Sequence, residues 1–110
     1  MVILLNKEGD FLVTTIKGRI DAVTSPELEK TLISQIEVGE LKIIVDMQDV
    51  EYISSAGLRV FLLTAKKLNT LKGKLVFYGL QKMIEDVFKV SGFYSLFGIY
   101  SGKQEASKAF

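Results

Sequence analysis

The stretch from Leu41 to Asp46, with Ile43-Ile44-Val45 at its centre, limits what this chain can become more than any other. Three consecutive branched apolar residues leave no polar side to expose, a pattern of a central strand covered on both faces rather than of an edge strand. Such a strand needs partners on both edges and packed layers above and below it. The flanking sequence supplies candidates. Val2-Ile3-Leu4-Leu5 and Phe11 to Ile16 lie on either side of the polar turn Lys7-Glu8-Gly9-Asp10 and predict an antiparallel pair. Leu75-Val76-Phe77-Tyr78, bounded by Gly73 and Gly79, predicts another strand, and Ile99-Tyr100 a short one.

Helical spacing fills the intervals. Thr24, Ser25 and Pro26 predict a helix start, with Glu27 three residues after Thr24 as in a capping box. Leu28, Leu32 and Ile36 then repeat on one face, and Gly39 is placed to end the helix. A second helix is expected from the serines at 54 and 55 to about Thr70, with Leu58, Phe61, Ala65 and Leu68 facing the sheet. Met83, Ile84, Val87 and Phe88 predict a third helix, up to Gly92. Phe93, Leu96 and Phe97 read as core plugs, and Phe88, Phe93, Tyr94 and Phe97 as one aromatic core group. Ser101 and Gln104 suggest a capping box for a last helix through Ala106 and Ala109. The interleaving predicts an α/β fold in a single domain over residues 1–110. Its mixed sheet should have four to five strands, parallel in the middle, with about four helices packed on it.

Composition narrows the chemistry. A chain of 110 residues buries roughly 60 to 70% of its unfolded surface, enough for a core without staples. There is no cysteine, which removes disulfides, thiolate metal sites and thiol catalysis. Histidine is absent too, which removes Ser-His-Asp hydrolysis and imidazole metal sites, and no metal or cofactor is expected. Fourteen basic and thirteen acidic side chains leave a net charge of +1, so no long-range field draws in nucleic acid. No apolar run approaches the roughly 20 residues that cross a bilayer, and no signal-peptide pattern opens the chain. The expectation is a cytoplasmic protein with neither membrane nor nucleic acid as a direct partner.

The chemistry-bearing stretch is Tyr52-Ile53-Ser54-Ser55-Ala56-Gly57-Leu58-Arg59, where a strand-and-loop pattern gives way to a helical one. A hydroxyl there can cap the first turn by accepting from an unpaired backbone N–H. The same helix start also suits an anion, such as a phosphate added to a serine. Projection at roughly 100° per residue puts Ser55 on the side of Arg59 and Lys66, away from the sheet, with Leu62 and Leu63 flanking it. Apolar anchors beside an Arg resemble the composition of a docking surface. Asp21 and Asp46, taken alone, are ordinary loop or strand-end carboxylates.

Four blocks in order carry a family resemblance: Gly18-Arg19-Ile20-Asp21, Ile43-Ile44-Val45-Asp46, Tyr52 to Arg59, and Val90-Ser91-Gly92-Phe93. Together they resemble the STAS domain of bacterial anti-sigma factor antagonists of the SpoIIAA-like kind, over nearly the whole chain. The resemblance implies a protein that binds an anti-sigma factor which is also a serine protein kinase, thereby releasing a sigma factor. Phosphorylation of a serine at the helix start switches that binding off, and a PP2C-like phosphatase restores it. The family's Asp-Ser-Ser-Gly falls on Ser54 to Gly57, which implies Ser55 as the phosphorylated residue, with Ser54 as the alternative. Asp21 and Gly57 correspond to residues supporting the phosphosite. The projected face of Arg59, Leu62, Leu63 and Lys66 is then the expected partner-binding face, with Arg59 placed either to contact the partner or to neutralise a phosphate on Ser55. Ser54 stands where the family often has Asp, and Ala56 where it has a second serine.

Three classes of function follow. The first is the phosphorylation-switched antagonist. The second is a STAS interaction subunit of a larger signalling or transport assembly, working without the switch. An enzyme with Ser55 as nucleophile is disfavoured, because there is no histidine and no Gly-x-Ser-x-Gly elbow, and only a Ser-Lys pair stays open. The chain is therefore expected not to be an enzyme.

Overall fold

In the computed structural model, which describes residues 1–110, the Ile43-Ile44-Val45 run lies in the central strand of a five-stranded sheet. The elements in order are β1 (Val2–Glu8), β2 (Phe11–Ile20), α1 (Ser25–Glu37), β3 (Lys42–Ile53), α2 (Ser55–Thr70) and β4 (Lys74–Tyr78). They continue with α3 (Lys82–Val90), α4 (Phe93–Leu96), β5 (Gly98–Tyr100) and α5 (Lys103–Ser107). The strands lie side by side in chain order, with β1 and β2 antiparallel and every later pairing parallel. The mixed α/β sheet is the expected one, and its five helices include two of only four and five residues.

Each parallel crossover advances the sheet by one strand in the same direction, and right-handed crossovers then place their helices on one face. Leu28, Leu32 and Ile36 of α1, Val60, Phe61 and Leu68 of α2, and Ile84 and Phe88 of α3 accordingly share a core with Ile16, Ile43, Val45, Met47 and Phe77. Ile44 and Val76 point the other way, into a smaller cluster with Tyr78 and Ala106 of α5. Ile43, Ile44 and Val45 are all fully buried, so β3 is covered on both faces as its composition requires.

Aromatic packing closes one end of the larger core. The Phe77 ring meets Phe61 at 4.9 Å, Phe97 at 5.2 Å and Phe88 at 5.4 Å between centroids, all in edge-on geometry. Phe93 joins Phe88 and Phe97 at 5.0 Å each. Tyr94 and Leu96 do not join this group, and neither does Met83: all three are exposed. The single turn of α4 can direct only one side inward, and Phe93 occupies it.

Other expectations shift for local reasons. Strand β3 does not end at Asp46 but runs on to Ile53, because it carries one extra residue opposite Thr15–Lys17 and another opposite Gly18–Arg19, which lets the two strands stay paired. Those irregularities stretch the buried spacing to Met47, Val50 and Ile53, which hides the strand period. Thr24 makes no capping box with Glu27, since its hydroxyl is bound to the Asp21 turn instead. Ser101 does not cap α5 either: Gly102 holds the N-cap position, with no side-chain cap. Gly39, left-handed at φ 98°, does end α1.

One polar group in the core has no partner. Thr14 is fully buried in β2 and its Oγ1 makes no hydrogen bond. Replacing an unsatisfied buried hydroxyl by a methyl of similar shape removes a desolvation cost. Thr14→Val is therefore expected to raise the unfolding free energy by about 1 kcal/mol, read from urea denaturation.

Candidate functional site

The N-terminus of α2 rests on the carboxyl ends of β2 and β3, where parallel sheets tend to gather functional groups. Two contacts set its position. The Ser54 N–H donates to the Ile20 carbonyl at 2.8 Å, joining the helix start to the end of β2. Gly57, buried on the inner side of the first turn, lets the helix close onto Ile20 and Ile53. A Cβ there would sit 2.6 Å from Ile20 Cγ2 and 2.8 Å from Ile53 Cγ1.

The two adjacent serines then have different fates. Ser54 is the N-cap, with extended backbone and its hydroxyl accepting from the Gly57 N–H at 3.3 Å. Ser55 is the first helical residue, is exposed, and has no hydrogen bond from its hydroxyl. No acidic residue occupies the first turn of α2, so the positive pole of the helix is not neutralised by its own side chains. Arg59, Leu63 and Lys66 are exposed on the turns that follow, and Leu62 is half-buried beside them.

The inward stripe of α2 differs slightly from the expected one. Phe61 and Leu68 are buried, but Leu58 and Ala65 are only half-buried, and Gly57, Val60 and Thr64 are buried beside them. Thr64 is accommodated because its hydroxyl donates to the Val60 carbonyl at 2.7 Å within the helix. Small residues and an internally satisfied hydroxyl allow tight packing that hydrophobicity alone does not predict.

Asp21 follows directly after β2 and holds a tight turn. Its Oδ1 accepts from the backbone N–H of Thr24 at 3.1 Å and of Val23 at 3.0 Å, while the Thr24 hydroxyl accepts from the Asp21 N–H at 2.9 Å. The Thr24 N–H bond leads the effects that hold this carboxyl below its ordinary pKa, so it is ionised near neutrality. Asp21 is next in chain to Ile20, whose carbonyl holds Ser54, but it makes no hydrogen bond to either serine.

Arg19 and Tyr52, adjacent across β2 and β3, complete the rim. The Arg19 guanidinium lies 4.2 Å from the centroid of the Tyr52 ring, and its Nε is 3.9 Å from Asp21 Oδ2. Arg19 and Tyr52 have no role that residue type or spacing reveals, although both stand inside the blocks that mark the site. Asp46 is not part of it: it lies within β3, paired in register with Tyr78. No group of three or more carboxylates gathers closely enough to hold a metal ion. No helix is long and apolar enough to cross a membrane.

Comparison with known proteins places this geometry in context. The family model for the STAS domain matches residues 3–106. BtrV of Bordetella bronchiseptica, provisionally named an anti-sigma factor antagonist, is 36% identical over 110 residues, covering 100% of this chain and 95% of its own length. An anti-sigma factor antagonist from Mycobacterium paratuberculosis superposes with a TM-score of 0.90 at 23% identity, over 98% of this chain and 92% of that one. The Bacillus cell fate determinant SpoIIAA in its phosphorylated form gives 0.77 at 17% identity, over 98% of each chain. The two structural likenesses share the fold.

The seating of the helix start is open to measurement. Gly57→Ala forces a methyl against Ile20 and Ile53, and is expected to lower the unfolding free energy by about 1–3 kcal/mol in urea denaturation.

Proposed function

The chain belongs to the STAS domain family, and from that premise we propose that it is an anti-sigma factor antagonist switched by phosphorylation of Ser55. Unmodified, it docks on an anti-sigma factor that is also a serine kinase, using Arg59, Leu62, Leu63 and Lys66, and so frees the sigma factor. The kinase transfers the γ-phosphoryl group of ATP to Ser55. The Oγ–P bond forms, the bond from that phosphorus to the bridging oxygen breaks, ADP leaves, and the hydroxyl proton passes to a base on the kinase. A PP2C-like phosphatase hydrolyses the ester and resets the switch.

The observation that carries this reading is the division between the two hydroxyls. Ser54 is half-buried and bound to Gly57, so its modification requires opening the cap, whereas Ser55 is exposed and unengaged. The exchange of the family's Asp for Ser54 is accommodated by the same geometry, because serine and aspartate both serve as N-caps.

Electrostatics explain how one modification separates folding from binding. A phosphoserine carries about −1.5 to −2 charges at neutral pH, which a helix N-terminus without acidic residues tolerates. Docking would bury that charge beside Leu62 and Leu63, and an uncompensated buried charge is costly. Asp21 acts as a positioning residue, since the turn it ties begins one residue after the Ile20 carbonyl that holds Ser54.

Incubation with the cognate kinase and ATP, followed by mass-spectrometric mapping, is expected to place the phosphate on Ser55, and phosphate on Ser54 alone overturns the assignment. Ser54→Ala should cost about 1 kcal/mol of stability yet remain phosphorylated. In calorimetric titration Ser55→Asp is expected to weaken partner binding about tenfold or more while Ser55→Ala retains it. Equal affinities would instead indicate the unswitched STAS interaction subunit.

A further inference from the structure

A cavity of about 440 Å³ lies at the opposite end of α2 from Ser55. Leu62, Ala65, Lys66 and Asn69 form its helix wall, while Leu96 and Phe97 line it from the segment after α3. Leu96 is the unexpected member. Phe93 and Phe97 on either side of it pack into the aromatic core, yet Leu96 is 62% exposed. A leucine so placed adds little to the core and leaves an apolar wall facing open space, as partner-binding surfaces do.

Charge is distributed unevenly along the chain, and two basic residues, Lys66 and Lys74, line this cavity. Between Glu51 and Glu85 there is no acidic residue, but there are six basic ones: Arg59, Lys66, Lys67, Lys72, Lys74 and Lys82. The rest of the chain holds the other eight basic side chains against all thirteen acidic ones. Lys82 is paired with Glu85 and Asp86, and Lys74 donates to the Ala109 carbonyl. The three cations of α2, Arg59, Lys66 and Lys67, are exposed and form no ion pair, although ion pairs occur on β1, β2, β3 and α3. A cationic helix with unpaired charges, set in a chain that is otherwise net acidic, is complementary to carboxylates on another surface.

We propose that this cavity is a second docking point for the same partner protein. It receives one apolar side chain from a partner segment whose flanking carboxylates meet Lys66 and Lys67. The inference rests on reading the outward face of α2 as the docking surface, and it specifies the chemistry at the far end of that face. Lys66 follows Ser55 by eleven residues, about 16 Å along the helix axis. That exceeds the screening length of about 8 Å at physiological ionic strength, so a phosphate on Ser55 does not act directly on the charge of Lys66, while Leu62 is shared by both ends of the face. The face therefore has a regulated end at Ser55 and an unregulated end at Leu96. The unregulated end contributes to holding the chain on the kinase while Ser55 is being modified.

The full-length chain carrying Leu96→Ala or Lys66→Glu tests this, with the kinase that modifies Ser55 as the probe. Both positions are exposed, and an unchanged thermal midpoint verifies folding. Each variant is expected to raise both Kd and the KM for phosphorylation about tenfold, as loss of an interface anchor does, with kcat unchanged. Lys66→Glu should also flatten the dependence of Kd on salt. If both variants stay within twofold of wild type while Ser55→Asp still weakens binding, the second docking point is overturned and the switch stands. If Leu96→Ala weakens binding but Lys66→Glu does not, the acidic character of the occupant is overturned. If the wild-type chain neither binds nor is phosphorylated by the kinase, both readings fall together.

Discussion

The first half of strand β3 can expose neither face, since Ile43, Val45 and Met47 face one layer and Ile44 the other, and every one of them is fully buried. The sheet must therefore continue on both edges of β3 and be covered above and below. Parallel partners require crossover connections, and right-handed crossovers advancing in one direction stack their helices on one side. That arrangement brings the carboxyl ends of β2 and β3 to the foot of α2. The Ile20–Ser54 backbone bond and the absence of a side chain at Gly57 set how closely the helix can sit there. Presentation of Ser55 is a consequence of how β3 is buried, several steps removed.

Within the site, neighbouring residues of similar chemistry have separate tasks. Ser54 and Ser55 differ by one position and by everything that follows from it: one hydroxyl completes the helix, the other faces solvent. Thr24 shows the same separation, because its hydroxyl serves the Asp21 turn and leaves the start of α1 without a side-chain cap. The segment that ends each strand is thus held by local hydrogen bonds, while the outward turns of α2 carry side chains that the fold itself does not use. Arg59, Lys66 and Lys67 have no ionic partner, and Leu63 is exposed. A surface of that composition is suited to recognition of another protein.

Much of the fold and of the candidate site was legible in the sequence where the pattern was strong and local. The hairpin, the α1 stripe of Leu28, Leu32 and Ile36, the glycine that ends it and the extent of α2 all follow from periodicity and stop signals. The site stretch was legible because hydroxyls, a glycine and an arginine occur together at a helix start. Legibility failed where tertiary contacts competed with local ones. The continuation of β3 depends on irregular pairing with β2, and the inward face of α2 on how close Gly57 and Thr64 let the helix approach. Leu96 and Met83 are apolar residues with nowhere inward to point, a matter of space and not of hydrophobicity.

The sequence by itself determined the class of fold, the helix start bearing two hydroxyls, and the exclusion of histidine and thiol chemistry, because these depend on residue type and short spacing. Only the tertiary structure decided which hydroxyl is engaged, that Arg19 stacks on Tyr52, that Asp21 ties its own turn without touching the serines, and that a cavity opens between α2 and Leu96. The physical reason is range. Propensity and capping act over about four residues. The contacts that decide exposure join segments such as Ile20 with Ser54 and Phe61 with Phe77, which meet only after the sheet has assembled.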